Sequence, residues 1–229
     1  MEGTTEASTI ISLENITAFH RKKQVLNNVS LEVKKGEFLY IIGKTGSGKS
    51  SLLKTLYKEL EIEEGKAVIL EFDLRKIKSS KVPMLRRSLG IVFQDFQLLP
   101  DRSVEENLLF VMKSTGWKAK KLMQKQVDET LEQVGLKDVN DKYPHQLSGG
   151  EQQRVVIARA MINSPKVILA DEPTGNLDPE SSKEIMGILM QIAKTGTAVI
   201  MATHDMNIVD QFPSRTLICD EGILTQKND

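Results

Sequence analysis

Cysteine, long apolar runs and an excess of charge of either sign are what this chain lacks. Its single cysteine, Cys219, excludes an internal disulfide and fits a reducing compartment. It closes the apolar run Thr216-Leu217-Ile218-Cys219 and reads as a core filler rather than a reactive thiol. No apolar run approaches the roughly 18 residues that a bilayer crossing needs. The opening Met1-Glu2-Gly3-Thr4-Thr5-Glu6-Ala7-Ser8 is acidic and polar, unlike a signal peptide, and reads as a frayed tail over residues 1–9. Basic and acidic residues balance at 31 each, so no global field draws the chain to nucleic acid or to an anionic membrane. There is no basic block and no sustained heptad pattern. The 229 residues suffice for one large α/β domain, residues 10–229, but hardly for two independent ones. The expectation is a cytosolic chain that meets a membrane only through a partner.

What is present begins with Gly43-Lys44-Thr45-Gly46-Ser47-Gly48-Lys49-Ser50, which fits the P-loop pattern G-x-x-x-x-G-K-[ST] at every fixed position. A nucleoside triphosphate packs several negative charges within a few ångströms. A loop holds them by aiming backbone N–H groups at the phosphate oxygens, in conformations glycine tolerates best. Lys49 adds a mobile positive charge for the outer phosphates and Ser50 a hydroxyl for Mg²⁺. The flanks support the match: Phe38-Leu39-Tyr40-Ile41-Ile42 reads as a buried strand, and Ser50 to Tyr57 as the first turns of a helix. That helix would turn its positive end toward the phosphates.

Two further buried-strand runs end in chemistry. Val167-Ile168-Leu169-Ala170 leads into Asp171 and Glu172, and Ala198-Val199-Ile200-Met201-Ala202-Thr203 leads into His204. Ligands of open α/β sheets bind at the carboxyl ends of the strands, where these residues fall. Asp171 can hold the water shell of Mg²⁺, Glu172 can take a proton from an attacking water, and His204 can reach a γ-phosphate.

Between these runs the texture changes. From about Ser103 to Asn163 the chain carries a 3.6-residue period, with Met123, Val127, Leu131 and Val134 on one helical face. Residues 94–164 read as a helical subdomain set into a core formed by 10–93 and 165–229. Within it, Ser148 can cap a helix beginning at Gly149 or Gly150, with Glu151 at the third position of a capping box. Beyond starting a helix, Ser148, Gly149 and Gly150 expose bare N–H groups and could form a second anion site. Asp178 followed by Pro179 opens another helix through Ile185, Ile188, Leu189 and Ile192.

The ordered set of P-loop, Gln94, Leu147-Ser148-Gly149-Gly150-Glu151-Gln152, Asp171-Glu172-Pro173, Asn176-Leu177-Asp178 and His204 resembles the nucleotide-binding domain of ATP-binding cassette (ABC) ATPases over nearly the whole chain. The hexapeptide Leu147–Gln152 is its most specific part. The resemblance implies an α/β, P-loop (RecA-like) core with an inserted helical subdomain and an N-terminal antiparallel β part. It implies ATP and Mg²⁺ as ligands, with Gly43, Lys44, Thr45, Gly46, Ser47, Gly48, Lys49, Ser50 and Ser51 around the phosphates. Ser50, Asp171 and Gln94 would serve Mg²⁺, and Gln94 would also sense the γ-phosphate. Glu172 would polarise the attacking water with His204 on the γ-phosphate. Asp178, Ser148, Gly149 and Gly150 would lie at the seam of an ATP-bound homodimer. The family stacks adenine on an aromatic residue before the P-loop strand; Phe19 resembles it, with His20 beside it. Ser51 stands where threonine is often found, and Lys44 where many members have proline or an uncharged residue; neither disturbs the chemistry.

The resemblance also implies an integral-membrane partner, a permease-like protein that this ATPase would serve from the cytoplasmic side of a bacterial inner membrane. Phe93 to Asn107, with Asp101-Arg102-Ser103-Val104 after the loop, is similar to the cell-division branch of the family. Asp171 to Pro179 is shared with its lipoprotein-releasing and macrolide-export branches, so the branch stays open. Soluble family members that act on nucleic acid carry long coiled coils or two cassettes, and this chain has neither.

Overall fold

The computed structural model describes residues 8–227. Of the expected tail, residues 1–7 lie outside the described residues, and Thr9 already belongs to the first strand, where it pairs with Lys34. Thr9 is thus held by its neighbouring strand and does not share in the expected tail.

Strands β1 (Thr9–His20), β2 (Lys23–Lys34), β4 (Ile62–Ile69) and β5 (Phe72–Asp73) form an antiparallel sheet in the order β2-β1-β4-β5. Strands β3 (Phe38–Ile42), β6 (Leu89–Val92), β7 (Val167–Asp171), β8 (Ala198–Thr203), β9 (Arg215–Asp220) and β10 (Ile223–Gln226) form a second sheet in the order β10-β9-β3-β8-β7-β6. All its neighbours are parallel except the β9–β10 hairpin at one edge. All five residues of β3 and all six of β8 are buried, as their unbroken apolar sequence requires of strands covered on both faces.

Successive side chains of a strand point to opposite faces, and the second sheet uses this to feed two cores. Leu39, Ile41, Leu169, Ile200 and Ala202 face the antiparallel sheet and helix α1 (Lys49–Leu56), which contributes Leu52, Leu53 and Leu56. Tyr40, Ile168, Ala170, Val199 and Met201 face the helical layer. That layer holds α3 (Val104–Ser114), α4 (Lys120–Gln133), α5 (Gly149–Met161) and α6 (Pro179–Lys194), with α7 (Met206–Gln211) after β8. On α4, Met123, Val127 and Leu131 are buried, with Val134 buried just beyond its last turn. A shorter helix, α2 (Val82–Arg87), precedes β6 on the other side and buries Leu85. Helices α3, α4 and α5 fall between β6 and β7 in sequence. The sheet edge from which the P-loop leaves is therefore bordered by both layers.

Candidate active site

The loop between β3 and α1 is shaped from below as much as for a ligand above. A Cβ on Gly43 would lie 2.2 Å from the Cys219 carbonyl oxygen, and one on Gly48 would lie 3.0 Å from the Val25 carbonyl oxygen, at φ 116°. Gly222, in the β9–β10 turn, donates its N–H to the Ser47 carbonyl at 2.8 Å, and the Cys219 thiol donates to the same oxygen at 3.2 Å. Cys219 is buried, and burial pushes its thiol pKa up. Sequence reasoning missed this floor, whose only signal was a glycine two residues past an acidic strand end.

Lys49 is 5% exposed, and its ammonium donates to the Gly43 carbonyl at 2.7 Å and to the Lys44 carbonyl at 3.2 Å. It also lies 3.7 Å from Glu172 Oε1. Ser50 donates its hydroxyl to Asp171 Oδ1 at 3.0 Å. Burial pushes the Asp171 carboxyl above its usual range; the Ser50 hydrogen bond pulls it down, while the Glu172 charge adds to the rise. Thr45, Gly46 and Ser51 complete the turn into α1, with Thr45 and Gly46 facing outward and Ser47 buried.

Glu172 follows β7 in a left-handed backbone conformation, φ 48°, fixed by its N–H to the Ala202 carbonyl at 2.9 Å. Its carboxylate accepts the His204 backbone N–H at 3.3 Å and lies 2.9 Å from His204 Nδ1. One carboxylate is thus held by the histidine that follows β8 and lies near the P-loop lysine. Gln94, two residues past β6, is exposed, and its side chain lies against Gly175, where a Cβ would be 3.1 Å from Gln94 Nε2. Its carbonyl accepts from Asn176 at 3.1 Å. The P-loop, Asp171, Glu172, His204 and Gln94 therefore share one edge of the parallel sheet.

Ser148, Gly149 and Gly150 do not. Ser148 is the N-cap of α5 in a full capping box, accepting the Glu151 N–H at 3.3 Å while Glu151 accepts the Ser148 N–H at 2.8 Å. The Ser148 N–H bond, then its hydroxyl, hold the Glu151 carboxyl below its usual range. A Cβ on Gly150 would lie 2.9 Å from the Ser181 hydroxyl, and one on Gly149 would lie 3.4 Å from Leu177 Cδ2. Asp178 caps α6 by accepting from Glu180 and Ser181 N–H groups, both at 3.0 Å. This second helix end packs against the Asp178 turn; among the described residues no hydrogen bond joins it to the P-loop of its own chain. Phe19 is half-buried and His20 exposed at the end of β1, where Phe19 pairs with Gln24. Val25, the next residue, meets Gly48.

The chain matches the ABC transporter family over residues 26–175. The chain belongs to that family. It is 47% identical over 197 residues to the cell division ATP-binding protein FtsE of Streptococcus pneumoniae serotype 2, covering 86% of this chain and 85% of the relative. It is 43% identical over 209 residues to the protein of that name from Bacillus subtilis, covering 91% of each. Among solved structures, the dimeric post-hydrolysis state of the ATP-binding cassette MJ0796 with ADP and Pi superposes with a TM-score of 0.84, at 32% identity, covering 96% of this chain and 98% of that one. The fold is that of an ABC ATPase, and the protein binds ATP and hydrolyses it.

Proposed function

We propose that this ABC ATPase is the FtsE-like subunit of a bacterial cell-division complex, working on the cytoplasmic face of the inner membrane with an FtsX-like integral-membrane protein. The observation that supports the division branch is similarity to cell-division ATPases over 86–95% of this chain, at 42–47% identity in three of them. No helix of the described residues is long and apolar enough to cross a membrane, so the membrane part of such a complex would be another chain.

The site supports a direct in-line hydrolysis. The P-loop N–H groups and Lys49 hold the β- and γ-phosphates of ATP. Glu172, aimed by His204, accepts a proton from the attacking water, and His204 and Gln94 contact the γ-phosphate. Phe19 or His20 covers the adenine. The donor set fits Mg²⁺: Ser50 and Asp171 present two oxygens in contact, and Gln94 follows β6, the strand paired with the one that ends at Asp171. Among the described residues no cluster of three His, Cys, Asp or Glu could hold a metal by itself. Magnesium bound to nucleotides is characteristically held by few protein oxygens and by phosphates. When bound, it would neutralise phosphate charge.

Ser148, Gly149 and Gly150 complete no site within their own chain, so they would grip the γ-phosphate held by a second copy. A head-to-tail pair closes two such sites, with Asp178 at the seam. Hydrolysis removes the bridging charge and lets the halves part.

Phe96 and Leu98 are half-buried against the helical core, and Arg159 donates to the Phe96 carbonyl at 3.0 Å. They supply packing rather than an open groove. An open cleft of about 690 Å³ lies between α2, β6, α3 and α5, lined by Met84, Arg87, Val111 and Arg159. It borders the strand that leads to Gln94, and a partner helix resting there would feel the nucleotide state. Copurification from detergent-solubilised membranes tests the whole reading. Recovery of an FtsX-like protein, lost on Met84→Asp with folding intact, is expected; recovery of a lipoprotein-releasing or export permease would overturn the division assignment.

A further inference from the structure

Gln153 lies in the second turn of α5 and is fully buried, 0% exposed. Its Nε2 donates to the Pro173 carbonyl at 2.6 Å, while its Oε1 meets no partner among the described residues. A half-satisfied buried amide carries a desolvation penalty that an apolar side chain of the same length avoids. Core filling alone does not explain it, and the bond to Pro173 has a particular address.

Pro173 follows Glu172, whose left-handed backbone persists only where its surroundings over-determine it. Two restraints come from the α/β core: the Glu172 N–H to Ala202, and the Gly175 N–H to the Glu172 carbonyl at 3.1 Å. The third, Gln153, comes from the helix that begins at Ser148, Gly149 and Gly150. We propose that Gln153 is a positioning residue that ties the aim of the Glu172 carboxylate to the position of α5.

The inference rests on the reading above, in which Glu172 is the base and the α5 N-terminus grips a phosphate held by a second copy. In a head-to-tail pair, α5 of one chain touches the ATP on its partner's P-loop, whereas Glu172 of that chain serves its own. The rigid path from Gly149 to Gln153, about 6 Å along the helix, then lets occupancy of one site orient the base of the other.

Steady-state ATP hydrolysis by the full-length chain and its Gln153→Met and Gln153→Glu variants, from about pH 6 to about pH 9, tests this. Methionine keeps the length and removes the donor. Its kcat should fall about tenfold to a hundredfold, because a misaimed reacting group is costly. ATP affinity should change by less than about twofold, since the loss falls on the transition state. A buried glutamic acid beside a lone carbonyl stays protonated at low pH and donates, then loses its donor and repels that carbonyl as it ionises. The kcat of Gln153→Glu relative to wild type should therefore fall as pH rises, while the Gln153→Met ratio stays flat. A purely structural role would not produce that contrast. Wild-type kcat in a folded Gln153→Met variant, or a pH-independent ratio for Gln153→Glu, would overturn the proposal; if methionine prevents folding, the glutamate ratio decides. Normal turnover in Glu172→Gln would instead overturn the base assignment, so the two failures are distinguishable.

Discussion

The two glycine-rich segments of this protein bind phosphate-like charge on paper and are built in opposite ways. The P-loop is held by its own chain from both sides: the β9–β10 turn and Val25 press against Gly43 and Gly48 from beneath, and Asp171 and Glu172 meet Ser50 and Lys49 from above. Ser148, Gly149 and Gly150 form an ordinary helix start whose cap is closed by Glu151 and which, among the described residues, makes no hydrogen bond to the P-loop of the same chain. The first segment is held on both sides, and in the proposed function the second is completed only by another copy of the chain. A motif's glycines can therefore serve close backbone approach in one place and bare helix N–H groups in another.

The sharpest break of this comparison is chemical. Glu172→Gln should still bind ATP, lose at least about a hundredfold in kcat, and accumulate as an ATP-bound dimer on size-exclusion chromatography. Ser148→Arg should also abolish hydrolysis, yet leave ATP binding by the single chain unchanged in a fluorescent-nucleotide titration. Loss of binding there would mean that the second helix end belongs to its own chain's site.

Smaller effects sharpen the same contrast through stability. Gly43→Ala sets a methyl group against backbone that cannot move aside, and should cost about 3 kcal/mol, a fall of about 6–12 °C in Tm. Asp171→Asn should end turnover while raising Tm by a few degrees, about 1 kcal/mol at most. Burial raises the Asp171 pKa, so the folded protein holds that proton more tightly than the unfolded chain. The wild type therefore loses stability as pH rises from the unfolded to the folded pKa. The Tm advantage of Asp171→Asn should be present at neutral pH and vanish under acid conditions. Least of all, Gly149→Ala meets only ordinary contact with Leu177 and should be neutral or stabilising by about 0.5 kcal/mol, as calorimetry would read.

Much of the fold was legible because it rests on local rules. Phe38–Ile42, Val167–Ala170 and Ala198–Ala202 are uninterrupted apolar runs, and each lies in a buried parallel strand. Ser148 with Glu151, and Asp178 with Pro179, are capping patterns, and each starts a helix at the residue its pattern names. The apolar segment at Phe96 and Leu98 follows no such local rule: exposure is a property of neighbours, and both side chains pack partly against the helical layer.

By itself the sequence determined the order of the chemistry: a phosphate loop, two strand-end carboxylates, a histidine and a capped glycine pair, each recognisable from residues within a few positions of one another. Only the tertiary structure decided which of them meet. Parallel pairing of β3, β7 and β8 brings Lys49 to one edge with Glu172 and His204, both of which lie more than a hundred residues later in the chain. The Gly222 floor beneath the P-loop and the Gln153 contact with Pro173 have no local pattern that names their partners. They exist because buried backbone carbonyls must find donors, and packing alone determines which donor is near.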